Sequence, residues 1–277
     1  MLVSVEGATS TAKTTFALTA PLPIVCFAFD IGTEYAIQGL KHNDYFAGLN
    51  IHTVKYDRIN KENNKIDEAT QHALWAANDI TIYELPSPIQ LDSNLVSGYI
   101  ALWQYFISLC GMAASDRNIS TIVLDTATIA RNVAINKYLE ELNQKEKPRK
   151  QLLQIEYGHP NGLIENIYST MAVIGKNFIA THHMRDEYAD QSVNGQVQSV
   201  ATGKLELDGW AKTHRFVDIA LETTKNKGRM GAKYLKCRLN PQLEGGVIIG
   251  EPNWDNMVAQ IEATLEGRVQ FARRING

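Results

Sequence analysis

"GATSTAKTT" (7–15) comes one residue, Glu6, after the apolar run "MLVSV" (1–5), and its reading decides the fold. An apolar run, a glycine and then "KTTFALTA" (13–20) describe a strand, a tight turn and the start of a helix. That order is the context required by the phosphate-cradling pattern G-x-x-x-x-G-K-[ST]. One letter departs: Ala12 stands where the second glycine belongs. If the position needs a left-handed backbone, the methyl group costs about 1–2 kcal/mol. A charge-assisted phosphate contact contributes about 1.5–3 kcal/mol and the loop makes several, so the substitution weakens such a site without abolishing it. A lysine at a helix start also opposes the helix dipole unless an anion is present. The bland alternative is a generic turn with Lys13 in solvent. The functional reading takes Gly7, Ala8, Thr9, Ser10, Thr11, Ala12, Lys13, Thr14 and Thr15 as phosphate contacts. Lys13 then reaches the β- and γ-phosphates of ATP, and the Thr14 hydroxyl ligates Mg²⁺.

Working outward, strand-like runs recur at "LVSVEG" (2–7), "PIVCFAFD" (23–30), "NIHTVKYD" (50–57), "ISTIVLDT" (119–126), "KNFIATHH" (176–183), "RFVDIALETT" (215–224) and "KYLKCRLN" (233–240). Helix-like segments fall at 13–20, 33–41, 97–114, 127–146 and 161–174. Strands alternating with helices predict an α/β fold with a mostly parallel, doubly wound sheet and helices on both faces. The last two runs read as an antiparallel extension at one edge, followed by a helix at 253–266. Residues 58–96 are polar with two prolines and read as an insertion. Residues 186–206 lack apolar periodicity and read as a mobile loop or short hairpin. With no repeat or strong linker, the expectation is a single domain over 1–277, with 241–277 as a C-terminal extension.

Composition bounds the partners. The chain has 277 residues, 44% hydrophobic and 21% charged, with a formal charge of −3, so nothing draws the whole molecule to nucleic acid. Cys26, Cys110 and Cys237 have no metal-like spacing and read as buried reduced thiols. No apolar stretch approaches the ~18 residues of a membrane span. No basic leader precedes the first strand, and the expectation is a soluble cytoplasmic protein without membrane partners.

A nucleotide machine needs more than a loop. "STIVLDT" brings a strand to Asp125, a carboxylate placed to hold the magnesium shell, although such an Asp also caps helices. Hydrolysis requires a group to orient or deprotonate water. Glu34 is the first candidate and Asp30 the second, both past the end of the second strand, where ligands gather in doubly wound sheets. In "IATHHMRDE", strand alternation points one of His182 and His183 toward the crevice. Either is a candidate contact to the γ-phosphate, against a plain structural role.

Together, "GATSTAKTT", "FAFDIGTE", "TIVLDT" and "FIATHHMRDEY", in that order, resemble RecA-like ATPase cores, and more closely the phage nucleotide-binding ATPases linked to single-strand annealing. The resemblance covers most of 2–240. It implies that Lys225 and Lys227 in "ETTKNKGRM" reach the ATP of a neighbouring subunit, with Arg229 nearby, and neutralise charge there. It implies a homo-oligomer, ring or filament, with nucleotide between subunits. It also implies single-stranded DNA contact through 184–205, with Arg185, Tyr188 and Lys204, and a single-strand DNA-binding protein as a further partner. Asp186, Glu187 and Asp190 make that segment acidic as well. The first strand begins at Met1, so subunit docking would use a surface other than a recombinase's leading segment. The sequence leaves three uses open: a Mg²⁺-dependent ATPase, a nucleotide-binding assembly protein without turnover, and a small-molecule kinase.

Overall fold

Six consecutive buried residues make β1 (Leu2–Gly7) a strand that belongs inside a sheet covered on both faces. The computed structural model describes residues 1–30, 46–89, 96–145, 147–193, 196–265 and 271. Around β1 the other strands are β2 (Ile24–Ala28), β3 (Ile51–Lys55), β4 (Ile80–Glu84), β5 (Thr121–Asp125), β6 (Asn177–Val193), β7 (Gln196–Asp208), β8 (Ile219–Asn226) and β9 (Arg229–Cys237). Their order is β3-β4-β2-β5-β6-β1-β8-β9, with β7 paired to β6. Every neighbouring pair from β3 to β8 is parallel, and β8–β9 is antiparallel. One strand, β6, separates the loop-bearing β1 from the Asp125-bearing β5. This is a mostly parallel α/β sheet with an antiparallel edge.

Helices cover both faces, as the alternation requires. α3 (Tyr99–Ser115), α4 (Ala127–Asn143) and α5 (Gly158–Ile174) bury Leu102, Phe106, Val133, Ile164 and Tyr168 in one layer, joined by Trp75 of α2 (Glu68–Ala77). On the other face, α1 (Lys13–Ala17) and α7 (Trp254–Thr264) bury Phe16, Trp254, Met257 and Ile261. Phe106 packs edge-on against both Phe27 and Phe29, with ring centres 5.1 and 5.0 Å away, and truncating such an aromatic costs about 3–5 kcal/mol. Glu140 on α4 accepts hydrogen bonds from the backbone N–H groups of Gly98 and Ile100, both at 2.9 Å, and so caps α3 with a negative charge. The three cysteines are free and buried. Among the described residues, no helix is long and apolar enough to cross a membrane.

Three sequence expectations change. Residues 58–96 are no polar insertion: they contain α2 and β4, and β4 lies inside the sheet between β3 and β2. Trp75 Nε1 donates to Tyr83 Oη at 2.8 Å, tying α2 to that strand. Residues 186–206 take the hairpin alternative rather than the loop, and the hairpin is long rather than short. β6 leaves the parallel sheet after His182 and runs on to Val193, paired antiparallel with β7 as a long arm. Arg215 and Phe216 belong to a short helix, α6 (Thr213–Phe216), and the strand begins only at Ile219. The helix expected at 33–41 lies outside the described residues.

Candidate functional site

The loop between β1 and α1 turns through two left-handed non-glycine residues, Ser10 (φ 61°) and Ala12 (φ 65°). Ala12 therefore occupies the conformation that favours glycine, and the strain of about 1–2 kcal/mol applies. Gly7 is required by crowding: a Cβ there would sit 2.3 Å from Thr223 Oγ1 and 2.6 Å from the Thr223 carbonyl oxygen. Thr11 Oγ1 meets Thr223 Oγ1 at 2.8 Å and also donates to the Ala8 carbonyl at 2.7 Å, clamping the loop to β8. Among the described residues, the backbone N–H groups of Thr9, Ser10 and Ala12 have no acceptor.

Lys13 is buried, its Nζ donating to the Gly7 and Ala8 carbonyls at 2.9 and 2.8 Å. Burial lowers its pKa, against the pull of Asp125 and Asp30. Thr14 Oγ1 donates to Asp125 Oδ2 at 2.8 Å. Asp125 Oδ1 accepts from the Thr181 hydroxyl. The carboxyl is fully buried, and that burial raises its pKa despite both hydroxyl donors and the Lys13 charge. A hydroxyl and a carboxylate side by side are the hard oxygen ligands Mg²⁺ prefers, keeping its remaining sites for water and phosphate. The unpartnered amides and the buried ammonium suit a polyphosphate. The residues present therefore fit magnesium and a nucleotide. Among the described residues no three His, Cys, Asp or Glu side chains form a metal-binding group.

The remaining sequence candidates divide. His183 Nε2 lies 3.3 Å from Asp30 Oδ2, at the carboxyl end of β2 and near Lys13 and Asp125. His182 points away. It is buried against α5, with Nε2 3.2 Å from Tyr168 Oη and Nδ1 without a partner, and burial pulls its pKa down to about 3. A phosphate-facing role for His182 is thus corrected, since its ring belongs to the opposite layer. Glu34 lies outside the described residues. Lys225 and Lys227 are exposed on the β8–β9 hairpin, whose two turn residues Lys227 and Gly228 (φ 47° and 83°) form the mirror-image turn that hairpins favour. Among the described residues neither lysine side chain makes a hydrogen bond or ion pair within the chain. The hairpin starts beside the loop, because Thr223 pairs with Gly7.

Sequence reading missed three residues. Thr181 shares a sheet face with Ile179, which strand parity gives, but only the pairing of β6 with β5 brings it beside Asp125. Thr223, which shapes the loop, carries no sequence signal. Glu84 ends the unrecognised β4 with a buried Oε1 that has no hydrogen-bond partner, and an unpaired buried acceptor costs about 1–3 kcal/mol. A separate cleft of about 680 Å³ opens between the β6–β7 arm, Trp210 and β9, with Glu6 and His214 paired at 3.0 Å on its wall.

No protein-family model matches the sequence, and no curated protein matches it at a significant level. Among solved structures, the chain is similar to a KaiC-like protein of Pyrococcus horikoshii at 12% identity, covering 86% of this chain and 79% of that one, with a TM-score of 0.39. It is likewise similar to the flagellar accessory protein FlaH of Methanocaldococcus jannaschii at 13% identity, covering 90% and 89%, with a TM-score of 0.38. Both likenesses are too distant to bear on the chemistry, which has to be argued from the loop itself.

Proposed function

We propose that the chain binds ATP with Mg²⁺ on residues 7–15 and hydrolyses it. In this reading it works as a homo-oligomer, acting on single-stranded DNA in phage-type recombination, annealing or replication. The observation that carries the nucleotide reading is the 2.8 Å hydrogen bond from Thr14 Oγ1 to Asp125 Oδ2, made beside a buried Lys13. It joins the loop to a carboxylate on a strand that is not its neighbour. A generic turn has no reason to bury a lysine there, because an ammonium held by two carbonyls and no anion is costly to desolvate.

The residues divide the work. Amides of the loop and Lys13 hold the phosphates, and Thr14 and Asp125 hold magnesium, with the Thr181 hydroxyl fixing the carboxylate. Bound Mg²⁺ supplies neutralisation of charge developing on the phosphoryl oxygens. Water activation falls to Glu34, or to Asp30, whose carboxylate His183 orients. Lys225 and Lys227 complete the site of an adjacent copy, a role their exposure beside Gly7 supports. The β6–β7 arm carries Tyr188 with 61% of its surface exposed, together with Arg185 and Lys204, which supports base stacking and backbone contact along a single strand.

The test is phosphate release measured with and without single-stranded DNA, in the wild type and in Lys13→Ala. DNA-stimulated release that vanishes in the variant is expected. Turnover retained in Lys13→Ala removes the assignment. A second reading, a nucleotide-binding assembly protein without turnover, is favoured by the strained Ala12 backbone, and tight ATP binding with no phosphate release would select it.

A further inference from the structure

Asp125 and Glu84 sit level with one another across the sheet, separated by a single alanine. Ala28 on β2 is in register with Asp125 on one side and Glu84 on the other, and Lys55 on β3 is level with Glu84. Side chains in register on parallel neighbours share a face. Lys55, Glu84, Ala28 and Asp125 thus form one row at the carboxyl ends of four strands. A lone methyl group in such a row leaves a hollow. The cavity there is about 250 Å³, lined by Ala28, Asp30, Lys55, Tyr56, Arg58 and Glu84.

The hollow has the parts of a built site. Glu84 Oε1 is buried without a hydrogen-bond partner, while Oε2 lies 3.5 Å from Lys55 Nζ. A buried acceptor of this kind calls for a donor that the described residues do not supply. Arg58 is exposed and, among the described residues, anchored only by a long 3.5 Å contact from Nη1 to the Ser87 carbonyl. Its planar guanidinium matches a carboxylate or phosphate. A single water takes roughly 30 Å³, so the volume suits a molecule of several heavy atoms.

We propose that the hollow over Ala28 is a second ligand site, for a small molecule carrying an oxyanion beside a hydroxyl or amine. The oxyanion rests on Arg58 and Lys55, and the hydroxyl or amine donates to Glu84 Oε1. The proposal goes beyond nucleotide binding, since it uses none of residues 7–15.

The probes are glycerol 1-phosphate and glycerate, which distinguish a phosphate from a carboxylate as the oxyanion, with inorganic phosphate and glycerol as single-ended controls. Each is titrated against the isotope-labelled full chain by NMR. Saturable millimolar binding of one two-ended probe is expected, with both controls about tenfold weaker or more. Ala28→Leu, which fills the hollow, should abolish binding while the melting curve stays cooperative. Arg58→Ala, a surface change, should weaken it about tenfold. Lys13→Ala should leave it unchanged. Absence of saturable binding throughout the millimolar range overturns the proposal. So does binding lost in Lys13→Ala yet kept in Arg58→Ala, which would place the probe on the phosphate loop. Loss of nucleotide binding in Lys13→Ala bears only on the nucleotide reading.

Discussion

His182 and His183 are consecutive in β6 and serve opposite layers of the protein: His182 meets Tyr168 beneath α5, and His183 meets Asp30 at the mouth of the crevice. The two therefore respond differently to replacement. His182→Phe should leave turnover within about twofold, because a buried neutral ring is exchanged for a similar shape. His183→Ala should lower turnover with less effect on nucleotide affinity, since it removes the imidazole that lies 3.3 Å from the Asp30 carboxylate. Equal kinetic losses in both variants would contradict the division.

His182 sets an acid response. Burial holds the folded-state pKa of His182 at about 3, below the unfolded value near 6.5. As pH falls below 6.5, the unfolded chain takes up the proton first, so stability present at neutral pH is lost progressively toward pH 3. His182→Phe should flatten that part of the melting temperature's pH dependence. An unchanged profile would exclude His182 as its source.

Asp125 behaves in the opposite sense. Its folded-state pKa is raised by burial, so its contribution to stability is fully present below the unfolded pKa and is lost as pH rises through the folded value. Without divalent cation, Asp125→Asn should remove this loss of stability at rising pH, so any gain in melting temperature at pH 7–8 should shrink in acid. Thermal melts across pH, without and with magnesium, test this. Destabilisation by Asn at neutral pH without metal would be the contrary result.

Ala12→Gly should relieve the left-handed strain of about 1–2 kcal/mol, less about 0.4–1 kcal/mol for the freer unfolded chain. The expectation is a small rise in melting temperature and tighter ATP binding by a fluorescent-nucleotide assay. A fall in both would mean that the methyl group is packed rather than strained.

Gly7→Ala should cost about 2–3 kcal/mol through overpacking. Thr223→Ala in the same chain should restore only part of it, because the Thr223 carbonyl remains 2.6 Å from the new methyl group. Full rescue in the double variant, read by denaturant unfolding, would refute the backbone clash.

What was legible in the sequence is what local chemistry dictates. β1, the loop and Asp125 announce themselves because strand, turn and helix start are encoded within a dozen residues. The order of β1 and β5 in the sheet is not encoded that way, and neither is the Thr181 hydroxyl that anchors Asp125. Both depend on β6 entering between them. β4 was hidden because "ITIYE" is five residues long, set among polar ones, and proved a strand only by the partners on either side. The β6–β7 arm lacks apolar alternation since it leaves the sheet, so main-chain pairing rather than burial makes it a strand. The role proposed for Lys225 and Lys227 needs a second copy and is implied only by the resemblance.

The three sequestered sulfhydryls turn the native fold into a timer. Burial raises the pKa of each, that of Cys110 to about 12, so the reactive thiolate is scarce while the chain is closed. An alkylating reagent then counts opening events: α3 through Cys110, the central strand through Cys26, the edge hairpin through Cys237. A cysteine introduced on the arm by Tyr188→Cys would react long before any of them, and a dye attached there would report on that arm without removal of the native three.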